Sequence, residues 1–274
     1  MQEGDYIMGV PRILHYPGSK WSMAEWIVSH MPEHSTYLEP FFGSGAVLFN
    51  KEPVKVETIN DIDGDVVNLF YVIRERPNEL AQVIRWTPYS RKEYIDSHID
   101  AEDDIEKARR FLIRCWQSIR VKTGSISGWK CRGTMDEYHH LRQWNNLPAD
   151  ILLVANRLKN VQIENIEATK LIKRYNKPNV LMYIDPPYVE ATRNGAMYEN
   201  EMTDNDHENL LDHLSKHSGP VLLSGYDSDL YNDLLKGWMK ETKLGKPVAG
   251  KSRVEVLWIN PFAAEYGFKQ QSLF

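Results

Sequence analysis

Cysteine is scarce, with only Cys115 and Cys131 in 274 residues. Two cysteines cannot build the disulfide scaffold of a small secreted domain. Without a CxxC pair they make no zinc site either, so both read as ordinary thiols in a reducing compartment, with no metal implied. Long apolar runs are absent: no stretch approaches the roughly 18–20 residues of a membrane span. Residues 1–12 lack the basic region and apolar stretch of a secretion signal. Low-complexity tracts and internal repeats are missing as well. So is a positive balance of charge: the formal net charge is −5, which by itself argues mildly against a polyanionic partner. These absences exclude membrane, fibrous and disulfide-rich classes and predict a soluble, cytoplasmic protein.

The chain does hold 42% hydrophobic residues, enough for one sizeable core or one core plus a smaller inserted domain. Tyr37 to Phe41 reads as a strand end, Phe42, Gly43, Ser44 and Gly45 as a glycine turn, and Ala46 to Phe49 as the start of a helix. A second strand follows at 54–59. Val66, Leu69, Phe70 and Ile73 then fall at helical spacing. This strand–helix alternation predicts a parallel α/β sheet. It stops near Arg85 and resumes at 161–166, with further strands at 180–184, 220–224 and 254–259 and an amphipathic helix at 204–216. Residues 1–84 and 156–274 therefore read as one catalytic domain, and 85–155 as a mostly helical insertion. The insertion is rich in aromatics. From 105 to 142 it carries nine Lys or Arg (Lys107, Arg109, Arg110, Arg114, Arg120, Lys122, Lys130, Arg132, Arg142) against Glu106, Asp136 and Glu137. A nucleic-acid protein needs such a local basic face rather than a basic average, although a basic stretch taken alone is more often a solvated helix face.

Three motifs carry chemistry. Glu39, Pro40, Phe41, Phe42, Gly43, Ser44 and Gly45 form a glycine turn after a first strand, where the backbone can approach a ligand at the carboxyl edge of the sheet. The spacing is not GxGxxG, and no P-loop lysine follows, so dinucleotide and triphosphate readings weaken. Asp61 or Asp63, one strand later, could accept from ribose hydroxyls. Tyr16, Pro17, Gly18, Ser19 and Lys20 taken alone make a plain turn. The sharp signal is Asp185, Pro186, Pro187 and Tyr188, directly after an apolar strand. The prolines stiffen the turn and remove two backbone donors. What remains is a carboxylate, a carbonyl and an aromatic ring, a set suited to a planar ring bearing an amino group.

In this order, the motifs resemble those of the Dam-type N6-adenine DNA methyltransferases, in the group where the cofactor motif precedes the DPPY motif. The resemblance spans most of the chain. It implies a Rossmann-like, S-adenosylmethionine-dependent methyltransferase sheet with an inserted, mostly helical target-recognition domain at 85–155. It implies that Asp185, Pro186, Pro187 and Tyr188 are catalytic. Cofactor contacts are implied at Tyr16, Pro17, Gly18, Lys20, Glu39, Pro40, Phe41, Gly43, Ser44, Gly45, Asp61, Ile62, Glu167 and Asp185. Glu167 stands where the family has Asp, with Glu164 as the alternative acid; Lys20 belongs beside the cofactor or beside Asp185. The implied partner is double-stranded DNA, met through Arg114, Arg120, Lys122, Ser125, Trp129, Lys130 and Arg132. A cognate restriction endonuclease acting on the same site and action as a monomer fit the resemblance, as does a bacterial or phage source. Asp185 would accept one amino hydrogen of a flipped-out adenine and the Pro186 carbonyl the other. RNA adenine, cytosine N4 and a glutamine amide are alternative acceptors, and a non-catalytic nucleic-acid-binding scaffold is the alternative class.

Overall fold

The computed structural model describes residues 10–119, 126–131, 138–189, 192, 200–245 and 254–265. Seven strands lie in one sheet: β1 (Thr36–Glu39), β2 (Val56–Asn60), β3 (Val161–Glu164), β4 (Val180–Ile184), β5 (Val221–Gly225), β6 (Met239–Leu244) and β7 (Val254–Ile259). Their spatial order is β3-β2-β1-β4-β5-β7-β6. The five strands from β3 to β5 are parallel, and β7 pairs antiparallel with both β5 and β6. Strand order reverses between β1 and β4, and ligands of open α/β sheets bind outside the carboxyl ends of the strands at such a switch point.

Alternation along the strands divides the core. Tyr37, Ile59, Leu181, Tyr183, Leu222, Leu257 and Ile259 face one side, where α2 (Gly64–Glu75), α3 (Pro77–Arg85), α5 (Asp104–Gln117) and α6 (Tyr138–Leu158) cover them. Leu38, Met182, Ile184, Leu223, Val256 and Trp258 face the other, under α7 (Ala168–Arg174), α8 (Asp204–Ser215) and α9 (Asp229–Leu234). Short helices α1 (Ala24–Ser29) and α4 (Arg91–Asp96) complete the described elements. The segment 85–155 is mostly helical where described. Its Phe111, Leu112, Trp116, Trp144, Leu147, Ile151 and Val154 join the same buried cluster as Tyr37 and Phe42.

Two local expectations are corrected. The helix expected to begin at Ala46 is only a 3₁₀ turn, Leu48–Asn50. The Asn50 side-chain amide donates to Ala46 O at 2.7 Å, and Pro53 disfavours helical backbone in the residue before it. The other is β6, which strand patterning did not reveal. Its sequence, Met-Lys-Glu-Thr-Lys-Leu, lies at the sheet edge, mostly exposed, where charged side chains are tolerated and guard against edge-to-edge pairing.

Candidate functional site

The glycine turn begins where β1 ends. Phe42 N donates to Asn60 O at 2.9 Å, tying the turn to the end of β2. Gly43 has φ 49° and directs its N–H to Asp61 Oδ2 at 2.7 Å. A Cβ on Gly43 would come 3.2 Å from the Tyr16 ring. Gly45, at φ 69°, serves another purpose: a Cβ there would meet the Phe49 and Phe42 rings at 2.4 and 2.5 Å. Its bareness lets the two rings pack beneath the turn. Ser19 and Ser44 hydroxyls are 2.8 Å apart, which brings the N-terminal turn onto the glycine turn.

A cavity of about 350 Å³ opens over the switch point, within the ~300–1,000 Å³ usual for small-molecule sites. Of the fourteen residues assigned to the cofactor from sequence, thirteen line it and Gly45 does not. Glu167 lines it, at the start of α7; Glu164 is instead paired with Arg174 at 2.9 Å. Asp63 lines it too, capping α2 through Asp65 N at 2.9 Å and accepting from Tyr16 Oη at 3.0 Å.

The lining is acidic, and part of it is withdrawn from water. Glu39 is 2% exposed and accepts from Tyr37 Oη at 2.8 Å. Burial pushes its pKa to about 8, and the nearby Asp185 adds to the rise. Burial likewise pushes Asp61 to about 6, against the N–H groups of Asp63 and Gly43, which favour its charged form. An acidic lining beside an open cavity suits a ligand that brings positive charge.

Asp185 follows β4 and lies on the same cavity wall as the glycine turn. Burial raises its pKa, and the Lys20 ammonium opposes the rise. Lys20 Nζ is 3.1 Å from Asp185 Oδ1, donates to Gly18 O at 2.7 Å and stands 4.7 Å from the centre of the Tyr188 ring. Asp185 Oδ1 is buried against the Lys20 ammonium in an ion pair. Pro187 also lines the cavity, whereas Pro186 and Tyr188 lie outside its lining.

Several lining residues were not assigned to the cofactor from sequence: Ser19, Asn60, Thr169, Tyr183, Met202, Asp206, Asn209 and Leu210. Asn60 links three strand ends, donating to Pro40 O (2.9 Å) and Ile166 O (3.0 Å) and accepting from Ile166 N (2.9 Å). Its place next to Asp61 was the available signal. Asp206, Asn209 and Leu210 share one face at the start of α8.

The expected DNA contacts separate. Arg120, Lys122, Ser125 and Arg132 lie outside the described residues. Arg114 is engaged within the fold, bound to Asp65 Oδ2 at 2.5 Å and Ser97 O at 2.6 Å. Trp129 forms an antiparallel bridge with Ser118, donates to Gln117 Oε1 at 3.1 Å and lies under the Arg91 guanidinium at 5.0 Å. Lys130 Nζ is 3.3 Å from His140 Nδ1. Lys107, Arg109 and Arg110, counted in the basic stretch, are ion-paired with Asp104, Glu106 and Glu93.

The parallel sheet with its antiparallel β7 and an acidic cavity over the switch point define a Rossmann-like methyltransferase. The chain belongs to the D12 class of N6 adenine-specific DNA methyltransferases, whose family model matches residues 16–247. Its reaction class is methyl transfer to adenine N6 in DNA. Among similar proteins are DNA adenine methylases of Salmonella typhi and Escherichia coli K12, each 23% identical over 248 residues, covering 84% of this chain and 84% of theirs. The type II methyltransferase M1.LlaDCHI of Lactococcus lactis is 24% identical over 246 residues, covering 81% and 83%. A solved rRNA methylase from Streptococcus thermophilus, 7% identical with a TM-score of 0.36 over 89% of this chain and 97% of its own, is too distant to carry an argument.

Proposed function

We propose that this chain transfers a methyl group from S-adenosylmethionine to N6 of an adenine flipped out of duplex DNA, in the cytoplasm. One observation carries the reading. The Asp185 carboxylate, ion-paired with Lys20, lines the same cavity as the glycine turn. The acidic lining of that cavity fits a donor carrying a positive sulfur and an amino group, held by Glu39, Asp61, Asp63, Glu167 and the Gly43 backbone. Such a donor supplies a methyl group already activated by its sulfonium charge.

The protein's part is to place and polarise the acceptor. Adenine N6 is a weak nucleophile because its lone pair is spread into the ring. Asp185 accepts one amino hydrogen and the Pro186 carbonyl the other, which localises the lone pair toward the methyl. Lys20 holds Asp185 in its accepting, ionised form. The nitrogen must lose a proton after methylation, and a carboxylate whose pKa burial has raised is suited to take it. Extracting the base from the duplex costs a few kcal/mol, and stacking on Tyr188 returns about 1–3.

The duplex meets the surface around the Ser118–Trp129 bridge, with Lys130 and Arg91 beside it. One flipped base needs one copy of this site, which a monomer supplies. A cognate restriction endonuclease would be blocked by the same mark, and digestion of DNA from an expressing cell reads out both.

The test is incubation of the purified chain with S-adenosylmethionine labelled in its methyl group and duplexes of diverse sequence. Labelled N6-methyladenine is expected, and Asp185→Ala should lose about 10²–10⁴-fold in rate. Unlabelled DNA across all duplexes would overturn the reading. Label in nuclease-resistant material or in RNA would move the acceptor to an amide or to RNA adenine.

A further inference from the structure

Because β7 runs antiparallel, its first residues reach the sheet edge where β1 and β4 end. Glu255 is the second residue of β7, and its neighbour Val256 pairs with Gly225, the last residue of β5. Tyr226 follows Gly225. Both Glu255 and Tyr226 meet Tyr188 there. The Tyr188 hydroxyl donates to Glu255 Oε2 at 2.8 Å. The Tyr226 ring stands against Tyr188 at 4.5 Å and 77°, an edge-to-face contact. The Lys20 ammonium lies over the Tyr188 ring.

An acid at this position has a cost. Its charge helps hold up the pKa of Asp185, a second carboxylate that must ionise to accept. A neutral acceptor would avoid that repulsion but would give a weaker bond, since a carboxylate makes a charge-assisted hydrogen bond. Tyr188 remains a donor throughout, because burial and the two carboxylates keep its hydroxyl protonated well above the ordinary range.

We propose that Glu255 is a positioning residue for methyl transfer, acting through Tyr188. By fixing the hydroxyl it sets the plane of the ring on which the flipped adenine stacks, and so the direction of N6 toward Asp185. The inference rests on the proposed reaction at this site. It joins a strand outside the catalytic motif to the orientation of the acceptor base, with no contact between Glu255 and either substrate required.

The experiment is a double-mutant cycle read as kcat/KM for duplex DNA, with affinity for S-adenosylmethionine measured alongside by calorimetry. Glu255→Ala and Tyr188→Phe should each lower kcat/KM about tenfold, the scale of one stacking contact set askew. The pair together should lose about tenfold rather than about a hundredfold, because both remove one link. Glu255→Gln, which keeps an acceptor oxygen, should stay within about threefold of the wild type. Donor affinity should hold in every variant, which a merely structural role would not predict. Multiplying losses, an unaffected Glu255→Ala, or a parallel fall in donor affinity would overturn the inference while wild-type activity stands. A wild-type chain that methylates no duplex adenine would overturn the proposed function and this inference together.

Discussion

Glu39 places a carboxyl where water does not reach, and its proton equilibrium records that. The folded chain holds the group near pKa 8, against 4.5 as its ordinary value. A raised folded pKa means the folded state keeps a proton that the unfolded state releases. Its contribution to stability is therefore full below about pH 4.5 and is lost as pH rises toward 8, by at most ~1.4 kcal/mol per unit. Glu39→Gln should flatten that decline, read as urea-unfolding free energy at pH 5, 6.5 and 8. Lys20 acts in the other direction on Asp185, favouring its ionised form. Lys20→Met should raise the Asp185 pKa further, so the acid limb of the kcat/KM profile should move to higher pH. An unmoved limb in an active variant would remove Lys20 from that role.

Elements bring these residues together through specific turn chemistry. Gly43 and Gly45 both have positive φ, yet they answer to different neighbours, one facing Tyr16 at the cavity and the other lying on two phenylalanine rings. Gly45→Ala forces a left-handed residue and drives its methyl into both rings. Left-handed backbone costs about 1–2 kcal/mol and overpacking about 1–3. The denaturant midpoint should fall accordingly, by ~2–5 kcal/mol in unfolding free energy. At the opposite wall, Thr203 and Asp206 form a reciprocal capping box that fixes the start of α8. That start delivers Asp206, Asn209 and Leu210 to the cavity. The acid, the glycines and the rigid Asp185 corner were legible because each combines a residue type with the end of a recognisable strand. The α8 contribution was not, since it depends on the chain returning to the cavity after leaving β4.

Across the molecule, the helical segment 85–155 and the sheet are linked by one buried cluster, and α6, which runs out of that segment, is tied to β2 through its last turn by a buried charge triad. Glu57 of β2 is 4% exposed and binds Lys51 at 2.6 Å and Arg157 of α6 at 2.5 Å. Lys51 also lies 4.6 Å from the Tyr37 ring, whose hydroxyl holds Glu39. Removing the carboxylate leaves two cations without their partner. Glu57→Leu should cost about 3–5 kcal/mol, measured by chemical denaturation with tryptophan fluorescence and far-ultraviolet dichroism moving together. Separate transitions for the two probes would show that the helical segment and the sheet fold independently.

Six of the seven strands along the chain, the glycine turn and the DPPY corner were legible in local sequence, because periodicity and turn residues act over a few positions. So were the class of reaction and most of the cavity's acids. Tertiary structure decided the rest. It neutralised much of the basic stretch by pairing, as when Asp65 takes Arg114 from forty-nine residues away. It turned β7 against the sheet's direction and so carried Glu255 to Tyr188. Charge count and local pattern hold no information about such partners, since ion pairing and burial depend on distances that only the folded chain defines.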